Sequence, residues 1–65
     1  AEVRRVITEA MEDLPEQQRT AFRLFDVEGY RAADVGALMG HSAASVRSNV
    51  YHARRALRAR LGPRL

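Results

Sequence analysis

The chain of 65 residues contains no cysteine, no tryptophan and no lysine. Without cysteine there is neither a disulfide framework nor a thiolate metal site, and His41 and His52 alone make a poor zinc cage. No metal and no cofactor is therefore expected. No stretch approaches the roughly 18 apolar residues of a membrane span. Nor is there a signal peptide with a basic start, an apolar middle and a small-residue cleavage site. The expected location is the cytoplasm, away from membranes. A chain this short buries only about 60% of the surface it exposes when unfolded. It has no room for the large pocket of a cofactor enzyme, and no catalytic activity is expected.

What the sequence has is an uneven charge. The overall balance is +3, from 11 basic and 8 acidic side chains. All eight acids lie in residues 1–34, against five arginines, so that part carries −3. Residues 35–65 carry six arginines and no acid, a balance of +6. An acid-free arginine segment is the electrostatic footprint of a protein that meets a polyanion, and the planar guanidinium fork suits phosphate.

No segment alternates with the period of two that marks a half-buried strand, and the spacing predicts an all-α domain of four helices. In residues 2–13, Val3, Val6, Ile7, Ala10 and Leu14 recur at helical spacing. Pro15 opens a second helix, where its missing N–H costs nothing, and Glu16 favours the positive end of the helix dipole. This helix is expected to run to about Val27, to bury some combination of Ala21, Phe22, Leu24 and Phe25, and to end at Gly29. A short third helix, Ala32 to Met39, stops at Gly40. The fourth is long: Ser42 caps it through the N–H of Ala44 or Ser45, and Gly62-Pro63 closes it. Residues 63–65 are expected to fray.

With about 100° per residue and Val46 at zero, Val50, Ala53, Leu57 and Leu61 fall between about −20° and +60°. That stripe is the expected buried face of the fourth helix. Arg54, Arg47, Arg58, Tyr51 and Arg55 follow in order from about 80° to 180°. Asn49, Ala56 and Arg60 take the other flank, and Ser48 and His52 the back. Both histidines read as surface residues, since neither has an acid or a second ligand at a suitable spacing. Phe22, Phe25 and Met39 read as core, although the edge of an apolar groove is also where a partner helix docks.

A short helix, a three-residue turn opening with glycine, and a longer basic helix make a helix-turn-helix, without winged elements, which sets its second helix in the DNA major groove. Gly36 falls where the two helices cross closely, Gly40 where the turn requires positive φ, and Val35, Met39 and Val46 where the pair shares a core. On that register Ser42, Ala43, Ala44, Arg47, Ser48 and Tyr51 point outward as candidates to meet base edges. Arg47 has the fork to read guanine through O6 and N7, while Arg54, Arg55 and Arg58 lie further along, toward phosphates. Neutralising four to six phosphates predicts a log K against log salt slope of about −4 to −5. The acids Glu9, Glu12, Asp13 and Glu16 gather near the first helix junction. Two readings of them stay open: they keep that end off DNA, or they face a basic protein surface.

These residues resemble region 4 of bacterial sigma factors, specifically the extracytoplasmic-function group. The resemblance runs through Leu14 to Arg19 (LPEQQR), Val27 to Tyr30 (VEGY), Ala33 to Gly40 (ADVGALMG) and Ala44 to Leu61. Its most specific part is Ser45, Val46, Arg47 and Ser48, followed by Ala53, Arg54, Arg55 and Leu57 as the ARR-x-L tail. The resemblance implies one domain over residues 1–65, the C-terminal part of a longer protein. It implies binding to double-stranded promoter DNA at the minus-35 element, docking on the β flap of RNA polymerase, and sequestration by an anti-sigma factor. There are departures. The family commonly has a basic residue at the positions of Asn49 and His52, an apolar one at His41, and a capping serine where Arg31 stands. Two alternatives remain: the similar four-helix domain of response regulators, whose third-helix pattern fits less well, and a protein-interaction module whose basic helix binds an acidic anti-sigma or polymerase surface.

Overall fold

The computed structural model describes residues 2–62, with side-chain surroundings from residue 4 onward. Val3 as a core contact and the fraying of residues 63–65 lie outside the described residues. The elements are α1 (Glu2–Met11), α2 (Glu16–Phe22), a π-helical turn (Arg23–Val27) that continues α2, α3 (Ala32–Met39) and α4 (Ala43–Leu61).

Every apolar residue expected along the stripe of α4 is buried: Val46, Val50, Ala53, Leu57 and Leu61. The helix thereby acts as a spine with two core clusters on one face. Its C-terminal half packs Ala53, Leu57 and Leu61 with Ala10 and Leu14, flanked by Val6, Ile7, Met11 and Phe22. Its N-terminal half packs Val46 and Val50 with Ala21, Ala32 and Val35, flanked by Leu24, Phe25, Met39 and Ala43. Ala10, Ala21, Ala32 and Ala53 are the small members of these clusters. Small side chains at such positions let helices approach closely, so that the larger aliphatic side chains beside them can interlock.

α1 ends two residues earlier than its apolar spacing predicts. Beyond Met11 the chain tightens into three-residue hydrogen bonds, Asp13 N–H to Ala10 carbonyl at 3.2 Å and Leu14 N–H to Met11 carbonyl at 3.0 Å. Pro15 is the N-cap of α2 rather than its first helical residue, and its carbonyl accepts from Arg19 N–H at 2.9 Å. The second helix does reach Val27, but not as a regular α-helix. Its last five residues take the wider π form, closed by Glu28 N–H to Arg23 carbonyl at 2.9 Å. Of the residues expected to be buried on it, Ala21 is fully enclosed, whereas Phe22, Leu24 and Phe25 are half-buried.

The helix-turn-helix has the predicted three-residue turn, Gly40 to Ser42. Gly40 caps α3 in the left-handed conformation (φ 73°, ψ 31°), and His41 N–H reaches the Gly36 carbonyl at 2.9 Å. Gly36 is tightly enclosed for a reason slightly different from a helix crossing. A Cβ there would sit 2.4 Å from the His41 carbonyl oxygen, so the close approach is between α3 and the backbone of the turn. His41 itself is half-buried, not a surface residue, and its Nδ1 is enclosed without a partner among the described residues.

At the start of α3, Arg31 occupies the N-cap position and makes no side-chain cap. Its guanidinium instead lies 3.4 Å from Asp34 in a solvent-exposed ion pair, the kind that contributes little. Arg31→Ser restores an acceptor for the first-turn N–H groups and is expected to raise stability by about 0.5–1 kcal/mol. Thermal unfolding checks it; an unchanged or lower midpoint would mean that the Arg31–Asp34 pair already secures this helix end.

Candidate nucleic-acid interface

The side of α4 opposite its buried stripe is open to solvent and carries no acid from end to end. Its start is fixed by Ser42, whose hydroxyl accepts from Ser45 N–H at 3.1 Å, as the sequence predicts, and donates to the Ser45 hydroxyl at 3.1 Å. The Ser42 oxygen is thereby committed to the cap. Ala43 turns toward the core and is half-buried against the N-terminal cluster. The other outward candidates, Ala44, Arg47, Ser48 and Tyr51, are exposed together, as are Arg54, Arg55 and Arg58.

The arginines divide by what holds them. Arg54 is gripped by Asp26 of the π turn through two hydrogen bonds, Nε to Oδ2 at 2.7 Å and an Nη to Oδ1 at 2.5 Å. Its guanidinium carbon also stands 5.9 Å from the centre of the Phe25 ring. Hydrogen bonding to Asp26 raises the Arg54 pKa further above its usual range, opposed by partial desolvation and aided by the opposite charge. Paired bonds of this kind, half open to water, contribute about 1 kcal/mol. They pin α4 to the end of the second helix. Arg60, near the C-terminal end of α4, pairs with Asp13 in the turn after α1. Two of the acids of the first half thus meet arginines of the second, inside the domain.

Arg47 and Arg58 have no acidic partner among the described residues. Arg55 meets Tyr51, with a guanidinium N–H donating to the phenolic oxygen at 3.3 Å and the guanidinium carbon 5.9 Å from the ring centre. His52 also meets this tyrosine, its ring in an edge-on contact with Tyr51 (centroids 5.4 Å apart, planes at 71°). Sequence reasoning placed His52 at the back of the helix. That back is the face directed away from the core, so His52 joins Ser48, Tyr51 and Arg55 on the outward surface. The wheel contained the signal: the direction opposite the buried stripe lies near 200°, between Arg55 and His52.

A second surface lies where α1 faces α2 and the π turn. It is an open groove of about 700 Å³ lined by the apolar Ile7, Met11 and Val27 together with Arg4, Arg19 and Arg23. Val27 is 61% exposed there.

The family model described as sigma-70, region 4, matches the chain over residues 4–57. The chain belongs to the sigma-70 region 4 family. No curated protein and no solved structure matches it significantly. The match runs from Arg4 in α1 to Leu57 in α4, and so takes in the helix-turn-helix, the N-terminal core cluster, the C-terminal cluster except Leu61, and the arginine row except Arg58. It decides between the sigma and response-regulator readings in favour of the first. A region 4 domain binds promoter DNA and RNA polymerase on behalf of a sigma factor, and it is not an enzyme. In this region 4 domain no helix among the described residues is long and apolar enough to cross a membrane.

Proposed function

We propose that this region 4 domain reads the minus-35 element of promoters served by an alternative, extracytoplasmic-function sigma factor in the cytoplasm, as the C-terminal domain of that longer protein. The N-terminal half of α4 lies in the major groove. Ala44, Arg47 and Ser48 face base edges, and Arg55 and Arg58 meet phosphates on either side of that contact. The observation that carries this reading is the set of arginines left without acids, among the described residues, on the outward face of α4, behind a capped helix start. A helix kept soluble by charge alone usually mixes signs to gain i,i+4 pairs. This face only repels itself until an anion arrives.

Arg54 is assigned to the fold and not to phosphate, because its donors are directed at Asp26. That lowers the expected salt dependence below the sequence-based value. With Arg55 and Arg58 neutralising phosphates, log K for promoter DNA should fall against log salt with a slope of about −2. A titration series between low and moderate salt measures it. A slope near zero would overturn the DNA reading, and one near −3 would return Arg54 to the interface.

The groove of Ile7, Met11 and Val27 supports a second contact, with the β flap of RNA polymerase. It lies on α1, α2 and the π turn, so a helix seated there leaves the outward face of α4 open to DNA. An anti-sigma factor would act by covering either surface.

A further inference from the structure

Three kinds of arginine stand along α4. Arg54 and Arg60 are ordered, but each is neutralised by a carboxylate. Arg47 and Arg58 keep their charge without an acid to hold them among the described residues. Among the described residues Arg55 alone on α4 is both held and without an acid, because what holds it is a neutral ring. The Tyr51 hydroxyl takes one N–H at 3.3 Å, and the ring lies beneath the guanidinium at 5.9 Å. Tyr51 stands one helical turn before Arg55, the spacing at which side chains on one face meet. The ring also meets His52 edge-on, with centroids 5.4 Å apart. A guanidinium has five N–H donors and this contact uses one. The remaining four and the full positive charge stay available to an incoming anion.

We infer that Tyr51 is a positioning residue for DNA binding: it holds Arg55 extended on the outward face of α4, ready for a backbone phosphate, without cancelling its charge. The inference rests on the DNA-binding reading above and deepens it. A free arginine explores many rotamers and loses that freedom when it binds. An arginine stacked beforehand on a phenol has already lost much of it. A carboxylate in place of Tyr51 would order Arg55 equally well but would also repel the phosphate. The 54% exposure of Tyr51 fits a side chain kept at the surface for its contact with a neighbour.

The test is a double-mutant cycle on the whole chain, measured with a duplex selected from a random pool and with a random duplex. Arg55→Ala should weaken both duplexes by about 5-fold and reduce the salt slope by about 1. Tyr51→Leu should weaken both by about 3-fold, the scale of an exposed cation–π contact, while leaving the slope and the unfolding midpoint in place. In the Arg55→Ala background, Tyr51→Leu should have no further effect. Tyr51→Phe, which keeps the ring and drops the hydroxyl, should recover part of the loss. An equal loss from Tyr51→Leu with and without Arg55, or a loss confined to the selected duplex, would overturn the inference and make Tyr51 a direct DNA contact. An unchanged affinity for Arg55→Ala would also overturn it, with the parent reading intact if the wild-type chain keeps its salt-dependent binding. Salt-independent binding by the wild-type chain would instead sink the parent reading itself.

Discussion

Gly36→Ala is expected to destabilise the domain by about 1–3 kcal/mol, the usual cost of forcing a methyl into a filled site. In an ordinary helix interior the same change gains about 1 kcal/mol, because alanine is the better helix former. The sign reverses here because of the neighbour. The new Cβ would meet the His41 carbonyl oxygen at 2.4 Å and the Ser42 carbonyl carbon at 3.3 Å, both backbone atoms. A flexible side chain would swing away, but a turn can yield only by moving as a whole. It is held on one side by the Gly40 cap and on the other by the Ser42 cap of α4. Displacing it disturbs the hydrogen bond from His41 N–H to the Gly36 carbonyl and shifts the start of the recognition helix. For a domain under 100 residues each kcal/mol moves the thermal midpoint by roughly 4–8 °C, so the loss is easily read by circular dichroism. Ala37→Gly, at an exposed neighbouring position, serves as the control; it should cost about 1 kcal/mol by propensity alone. A Gly36→Ala variant as stable as the parent would show that the turn has room to move.

How much of this was legible in the sequence depends on the range of the interaction. Signals carried by neighbours along the chain were readable. Gly29 and Gly40 do adopt positive φ, Ser42 does cap α4, and all five residues of the stripe from Val46 to Leu61 are buried. Such features follow from capping, steric limits and a 3.6-residue period, which need no knowledge of the rest of the fold. What failed to appear was set by packing between helices. Arg54 sits on the wheel beside Arg47 and Arg58 and is chemically identical to them. Only the approach of the π turn, which brings Asp26 from 28 residues away, separates its role from theirs. The π turn left no local mark either, since a single wider ring uses the same residue types as an α-helix. Ala43 is a different case: it was assigned to the outward face, although the wheel puts it at about +60°, at the edge of the buried stripe, and it does pack against the N-terminal cluster. His41 looked like a surface histidine until the fold closed over one of its nitrogens. In the proposed site, therefore, the helix and its direction were legible, and the division of labour among its arginines was not.

That division gives the second large expectation. Arg47→Ala should cost about 1–3 kcal/mol on a selected promoter duplex and much less on random DNA. Arg47 lies in the second turn of α4, one residue past the buried Val46, so its side chain leaves the helix near its tip. No acid among the described residues holds it back, and Ala44 beside it is too small to block its reach. Arg58 is eleven residues further on, about 16 Å along the axis, beyond the part of a recognition helix that usually enters the groove. Arg58→Ala should therefore weaken selected and random duplexes alike and lower the salt slope by about 1. Arg47→Lys separates charge from geometry. A lysine keeps the charge but cannot offer the paired donors of a planar fork. It should hold the salt slope near the wild-type value while recovering only part of the base preference. If Arg47→Ala lowers binding to selected and random DNA by the same factor, the residue is a phosphate contact and sequence is read elsewhere on the helix. The first candidate would then be Ser48, the adjacent exposed polar side chain.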